Sequence, residues 1–306
     1  MTKTNLAIAL MAIAAGAVAA DAPPAPMGAK PSYLHSIATD VPNAAAIGRR
    51  IFSPGLDDDW VMQGLAVAGE HILVSGYKPT PDIKSDKGPC RVYRIEAATG
   101  RAAGHFDLPV SSCNSHAGGL AYLGDGRLVL ADTQKVSLID LPGALAAGQA
   151  AGAVRTVDIA GALRGSFAAA DGRDAWIGRW SRNQAQSRMF KLSPDFFEHT
   201  GFIPADESKV ADSLPIPAEA QGAAFDKAGN LWVSASRGNT MSKLHKLDRG
   251  GGVLAAYDVP IGIEGIAFDA AGKLWALSES GTKKYARWGE QFNFPFVFEI
   301  DTALLR

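Results

Sequence analysis

The feature that most constrains this chain is a repeated pattern. The stretch QGAAFDKAGNLWVSAS begins at Gln221 and EGIAFDAAGKLWALSES begins at Glu264. Each reads as a glycine followed by alternating small and apolar residues, a turn, and a second apolar strand opened by Leu-Trp. Alternating runs flanking such turns signal β-hairpins. GGLAYLGDGRLVLADT from Gly118 and QGLAVAGEHILVSGY from Gln63 fit the same template, and GSFAAADGRDAWIGRW from Gly165 fits it more weakly.

A third strand follows each hairpin: RVYRIE, VSLIDL, RMFKLS, KLHKLD and FVFEID. Fourth strands end in tails such as HFDLP from His105 and AYDVP from Ala256, with poorer forms in TVDIA and TGFIP. Four short antiparallel strands repeating roughly every 45–55 residues are the mark of a β-propeller blade. Five hairpins and five third strands are followed by only four tails, and the last unit stops at Arg306. RRIFSP from Arg49 resembles the missing tail. The expected fold is therefore all-β, a five-bladed propeller whose N-terminal strand completes the last blade, with a six-bladed ring as the alternative. Closure of that kind removes exposed sheet edges.

The chain has 306 residues, 33 of them glycine, and a formal net charge of −1. That balance gives no electrostatic case for nucleic acid. Residues 1–20 combine a lysine, a short apolar run and small residues at the end, the pattern of a secretory signal peptide. Residues 21–47 form a Pro/Ala-rich leader, expected to be extended and mobile, and 48–306 the single propeller domain. The expected location is exported, periplasmic or secreted, with no membrane insertion. Cys90 and Cys113 are the only cysteines; in an oxidising compartment they are expected to pair.

In a propeller, the residues that open each innermost strand surround the upper mouth of the central channel. Here those positions are Gln63, Gly118, Gly165, Gln221 and Glu264, with His116 just ahead of Gly118. The second strands end on the same face at Gly76, Asp132, Arg179, Ala235 and Ser278, and Glu279 follows the last. Three long loops rise there, from Tyr77, Trp180 and Glu279; the third carries Tyr285, Arg287, Trp288 and Phe292.

Glu264 can bind a hard cation or act as a general base, or it can tie neighbouring blades together. His116 offers an imidazole acceptor for base or metal chemistry. Gln63 and Gln221 suit hydrogen bonds to a polar ligand. Asp132 is a candidate second metal ligand or a turn cap, and Arg179 suits a carboxylate or phosphate. Asp57 to Asp59 are either a calcium site or a solvated acidic run. No GxSxG elbow, HExxH, P-loop, EF-hand or CxxC occurs.

The blade units from Gln221 and Glu264 resemble those of the propellers grouped around gluconolactonase, strictosidine-synthase-like proteins and NHL repeats. The resemblance implies a divalent cation, such as calcium, held at the channel mouth by a Glu that opens a blade, together with Asn and Asp. Glu264 matches that Glu in context and Asp132 the Asp by position, whereas the Asn has no counterpart. Those enzymes have six blades and five are counted here. Two readings follow. One is an exported propeller that binds a small polar molecule, a glycan or a protein at its mouth. The other is a metal-dependent hydrolase of an ester, lactone or phosphoester, with Glu264 as ligand and His116 as base.

Overall fold

A computed structural model of the chain describes residues 24–80, 88–199 and 202–306. The predicted signal peptide lies outside the described residues. Among the described residues, twenty strands form five antiparallel sheets of four, arranged as a five-bladed β-propeller. Blade one contains β2 (Val61–Ala68), β3 (His71–Tyr77), β4 (Cys90–Glu96) and β5 (Ala102–Asp107). Blade two contains β6 (Gly119–Tyr122), β7 (Arg127–Asp132), β8 (Lys135–Asp140) and β9 (Val154–Asp158), with one short helix, α1 (Leu141–Ala147), before its outer strand. Blade three contains β10 (Phe167–Asp171), β11 (Asp174–Gly178), β12 (Arg188–Leu192) and β13 (Val210–Pro215). Blade four contains β14 (Ala220–Phe225), β15 (Leu231–Ser236), β16 (Ser242–Leu247) and β17 (Val253–Asp258). Blade five joins β18 (Ile263–Phe268), β19 (Leu274–Ser278) and β20 (Phe296–Ile300) to β1 (Ile47–Phe52), the outer strand supplied from the N-terminal side. Ile51 pairs with Val297 and Phe52 with Phe296, so the ring closes as the repeat count requires.

The repeated glycine has a steric cause. Innermost strands of neighbouring blades approach so closely that a Cβ does not fit between them. One built at Gly119 would lie 2.0 Å from the Ala168 nitrogen, and one at Gly265 would lie 2.4 Å from the Leu65 nitrogen. Gly64 and Gly222 face the next blade's backbone in the same way. Blade three solves the problem differently: Phe167 occupies the glycine position, and its cross-strand partner is Gly178, where a Cβ would strike the Phe167 ring. A large–small exchange keeps the local volume.

The repeated Asp and Trp also belong together. Asp226 caps its own hairpin turn by accepting from the Asn230 N–H at 2.8 Å and takes the Trp232 indole N–H at 3.0 Å. Asp269 does the same for Lys273 and Trp275, at 2.9 and 3.3 Å. These Asp–Trp clamps bind each turn to the strand behind it. At the other end of the channel, small and aromatic side chains of the innermost strands, among them Ala66, Ala169, Ala223 and Phe225, line a smaller pocket of about 90 Å³.

Two expectations are corrected. The outer strand of blade three is β13, not TGFIP; Phe202 and Ile203 of that segment stand exposed. An apolar pair before proline imitates a strand tail, but the chain first turns through a short 3-10 segment capped by Asp206. The leader is also not a loose tether. Its Met27 bridges Ile51, the Tyr33 hydroxyl donates to the Gly281 carbonyl at 2.9 Å, and Leu34 and Ala46 join Phe294, Phe296 and Phe298 in one core cluster. Apolar residues scattered through a Pro/Ala-rich stretch suffice to seat it on blade five. No helix among the described residues is long and apolar enough to cross a membrane.

Cys90 and Cys113 form a disulfide that ties the start of β4 to the strap entering blade two. Its partners are 23 positions apart. Constraining an unfolded loop of that size is worth about 3 kcal/mol. The Cys90→Ser/Cys113→Ser double variant should lose about that much in denaturant titrations; unchanged stability would refute the assignment of a stabilising role.

Candidate functional site

The mouth is built in two tiers. The residues that open the innermost strands form the lower one: Gln63, Gly118, Ser166, Gln221 and Glu264. Ser166 takes the place expected for Gly165, because Phe167 and not Ser166 aligns with the ring glycines. The upper tier comes from the ends of the second strands. Strand side chains alternate between faces, so only every second position faces the channel. Gly76, Asp132, Arg179, Ala235 and Ser278 share one parity. Thr133, Trp180, Ser236 and Glu279, each one residue later, line the cavity.

The parity difference decides what two predicted residues do. Asp132 is buried and turns to the strap before blade two, where it accepts from the N–H groups of Asn114, His116 and Ala117 at 3.1, 2.7 and 3.3 Å. Arg179 donates to Gln186 at 3.2 Å and is not part of the cavity lining. His116, held by Asp132 through its backbone, does reach the cavity and stacks on Tyr77 with ring centroids 5.2 Å apart.

Both mouth glutamines are bound to glutamates of blade five. Gln63 Nε2 donates to Glu279 Oε2 at 2.6 Å, and Gln221 Nε2 donates to Glu264 Oε1 at 3.0 Å. Blade five is thereby linked to blades one and four at the channel rim. Glu264 is buried beneath the cavity lining, also receives Ser236 Oγ at 3.4 Å, and lends its backbone carbonyl to Ser234 Oγ at 2.6 Å. The changed first letter of the repeat thus serves the joints between blades.

Burial, reinforced by the negative charge of Glu279, pushes the Glu264 carboxyl well above the usual range; the Ser236 hydroxyl and the Lys284 ammonium oppose the shift. A carboxyl raised in the folded state binds more protons there than in the unfolded chain. Stability therefore falls as pH rises from the ordinary value of 4.5 toward the folded value, and is fully retained below 4.5. Glu264→Gln, which resembles the protonated acid, should flatten the melting-temperature profile above about pH 5 and match or exceed the parent at about pH 8. Parallel profiles would contradict this.

The cation implied by the family resemblance is poorly matched by these side chains. Calcium takes six to eight oxygens, whereas the two mouth carboxylates here receive amide N–H groups from Gln63 and Gln221. Among the described residues, the one trio of His, Cys, Asp or Glu ligand atoms within 4.8 Å of each other is Cys90, Cys113 and Asp132. Its sulfurs are joined in the disulfide and offer no thiolate. Asp57 accepts from Ser32, and Asp59 pairs with Lys283 at 2.9 Å, so that acidic run is engaged with the leader and the long loop of blade five.

Above the two tiers the loops complete a cavity of about 380 Å³. Trp180, Tyr285 and Trp288 supply aromatic walls, Gln63, Thr133, Ser166, Gln221, Ser236 and Glu279 a polar floor, and Arg182 and Arg237 the rim. Tyr285 and Trp288 lie 4.4 Å apart by ring centroid, and Lys284 sits against Tyr77 and Tyr285. The aromatic loop was readable from the sequence. The second tier was hidden by a one-residue parity, and nothing in the sequence singled out Arg182 or Arg237.

No family model matches the chain, and no curated protein matches it in sequence. Solved structures do. A glutaminyl cyclase from Myxococcus xanthus aligns over 83% of this chain and 94% of its own, at 13% identity and a TM-score of 0.53. Regucalcin from Agrobacterium tumefaciens aligns over 82% and 92%, at 14% identity and a TM-score of 0.43. A protein described as a proposed gluconolactonase aligns over 90% and 86%, at 15% identity and a TM-score of 0.40. At such identities the likeness is one of fold alone, and it is the β-propeller fold that the repeat pattern resembles.

Proposed function

We propose that the protein is an exported β-propeller that binds a small polar molecule or glycan unit in the cavity at its mouth. The observation that carries this reading is the cavity itself: about 380 Å³, with a polar floor and aromatic walls on the propeller ring. Concave sites of a few hundred Å³ with a few convergent polar groups are the usual form of small-molecule sites. The disulfide and the N-terminal segment support export.

The alternative, a metal-dependent hydrolase with Glu264 as ligand and His116 as base, has less support. Glu264 is engaged by Gln221 and Ser236, and no trio of His, Cys, Asp or Glu ligand atoms includes it among the described residues. A thermal-shift screen of sugars, polyols, amides, amino acids and organic acids, with and without EDTA or calcium, separates the two. Binding that ignores EDTA and weakens at least tenfold in Trp180→Ala is expected. A requirement for calcium would favour the hydrolase. Hits unaffected by Trp180→Ala would overturn the mouth as the site.

A further inference from the structure

We infer that the rim of the mouth is an anchor for the carboxylate of an organic acid. This rests on the mouth being a ligand site and names the chemical class it takes.

The anchor is built around Glu219. Its backbone adopts φ of +62°, a left-handed conformation that a glutamate rarely holds. Two neighbours impose it: the Glu219 N–H donates to the Ser181 carbonyl at 2.8 Å, and its carbonyl accepts from the Ser236 N–H at 3.0 Å. The side chain is thus fixed between the loop of blade three and the second strand of blade four. Its side chain is 9% exposed, and one oxygen, Oε1, faces two guanidinium groups, Arg237 at 3.4 Å and Arg182 at 4.0 Å. Strained backbone persists where the surroundings over-determine it, commonly at ligand clamps.

One carboxylate cannot satisfy two guanidinium groups. Each carries five N–H donors, and both side chains are largely open to the cavity, 52% exposed for Arg237 and 71% for Arg182. Arg182 lies over the Trp180 ring at 5.9 Å, which keeps its plane against the wall. The rim therefore has one positive charge in excess of the Glu219 carboxylate. Guanidinium forks match carboxylates in geometry and strength. Glu279, which accepts from Gln63 at 2.6 Å, lines the same cavity. A ligand seated there needs an anion at the rim and an apolar or ring body against Trp180 and Trp288.

The test uses 4-hydroxyphenylacetate, 4-aminobenzoate and gluconate, each beside its primary amide, titrated calorimetrically into the full chain. At least one acid is expected to bind about ten- to a hundredfold more tightly than its amide, as charged hydrogen bonds allow. In Arg182→Gln/Arg237→Gln that preference should vanish, with the acid binding no more tightly than its amide. Glu219→Gln, which loosens the arginines without removing them, should reduce the acid-to-amide ratio without abolishing it. Equal binding of acids and amides, or a preference that survives in the double variant, overturns the anchor and leaves the mouth reading standing. If only neutral molecules bind in the wider screen, the anchor fails alone; if nothing binds at the mouth, both fail.

Discussion

Gly119→Ala is expected to cost about 3 kcal/mol or more, a large effect for one methyl group. The new Cβ would meet the Ala168 nitrogen at 2.0 Å and the Phe167 carbonyl carbon at 2.4 Å. Both are backbone atoms of the next blade and cannot rotate away. Relief requires β6 and β10 to separate, which loosens the innermost turn of the ring and the floor of the mouth. Gly250→Ala is the control: that glycine is exposed and its nearest neighbour is a side-chain oxygen at 3.3 Å. It should change stability by no more than about 0.5 kcal/mol. Indistinguishable denaturation midpoints for the two variants would refute the steric account of the repeated glycine.

Deleting residues through Pro54 should abolish cooperative folding. The deletion removes β1 and leaves β20 as an unpaired edge, with Phe296 and Phe298 of the fifth-blade core uncovered. Shorter deletions should grade. Removal through Lys30 takes away the Met27 bridge and the Pro24 carbonyl that receives Arg50, at a cost of about 1 kcal/mol. Removal through Ala46 also strips Leu34, Ala38 and Ala46 from buried sites; each large apolar side chain lost from such a site is worth about 2 kcal/mol. Melting temperatures should therefore fall in the order Lys30, Ala46, Pro54. Equal values for all three would contradict closure by the N-terminal strand.

How much of this was legible in the sequence differs between ring and site. The blade count and the closing strand follow from five hairpins and four tails, because each blade buries the same faces and so repeats the same letters. The functional reading of the first letters was less direct. Gln63, Gln221 and Glu264 do surround the channel, but Glu264 spends its carboxyl on Gln221 and Ser236. Asp132 and Arg179 lie on the right strand ends with the wrong parity, since a shift of one residue reverses the face of a side chain. Glu279 has the right parity and faces the cavity. Glu219 and its two arginines carry no periodic signal at all, because they come from loops whose meeting point depends on how blades three and four pack.

The central claim, a ligand seated in the mouth, is tested most directly by acrylamide quenching of tryptophan fluorescence with and without a bound ligand from the screen. The chain has six tryptophans. Trp60, Trp176, Trp232 and Trp275 are buried, whereas Trp180 and Trp288 are partly open and both line the cavity. Quenchable emission thus reports the mouth. Saturating ligand should shield it and bring the quenching slope close to that of a Trp180→Phe/Trp288→Phe variant. A slope unchanged at saturation would mean that the ligand sits elsewhere, and the account of the mouth would be wrong.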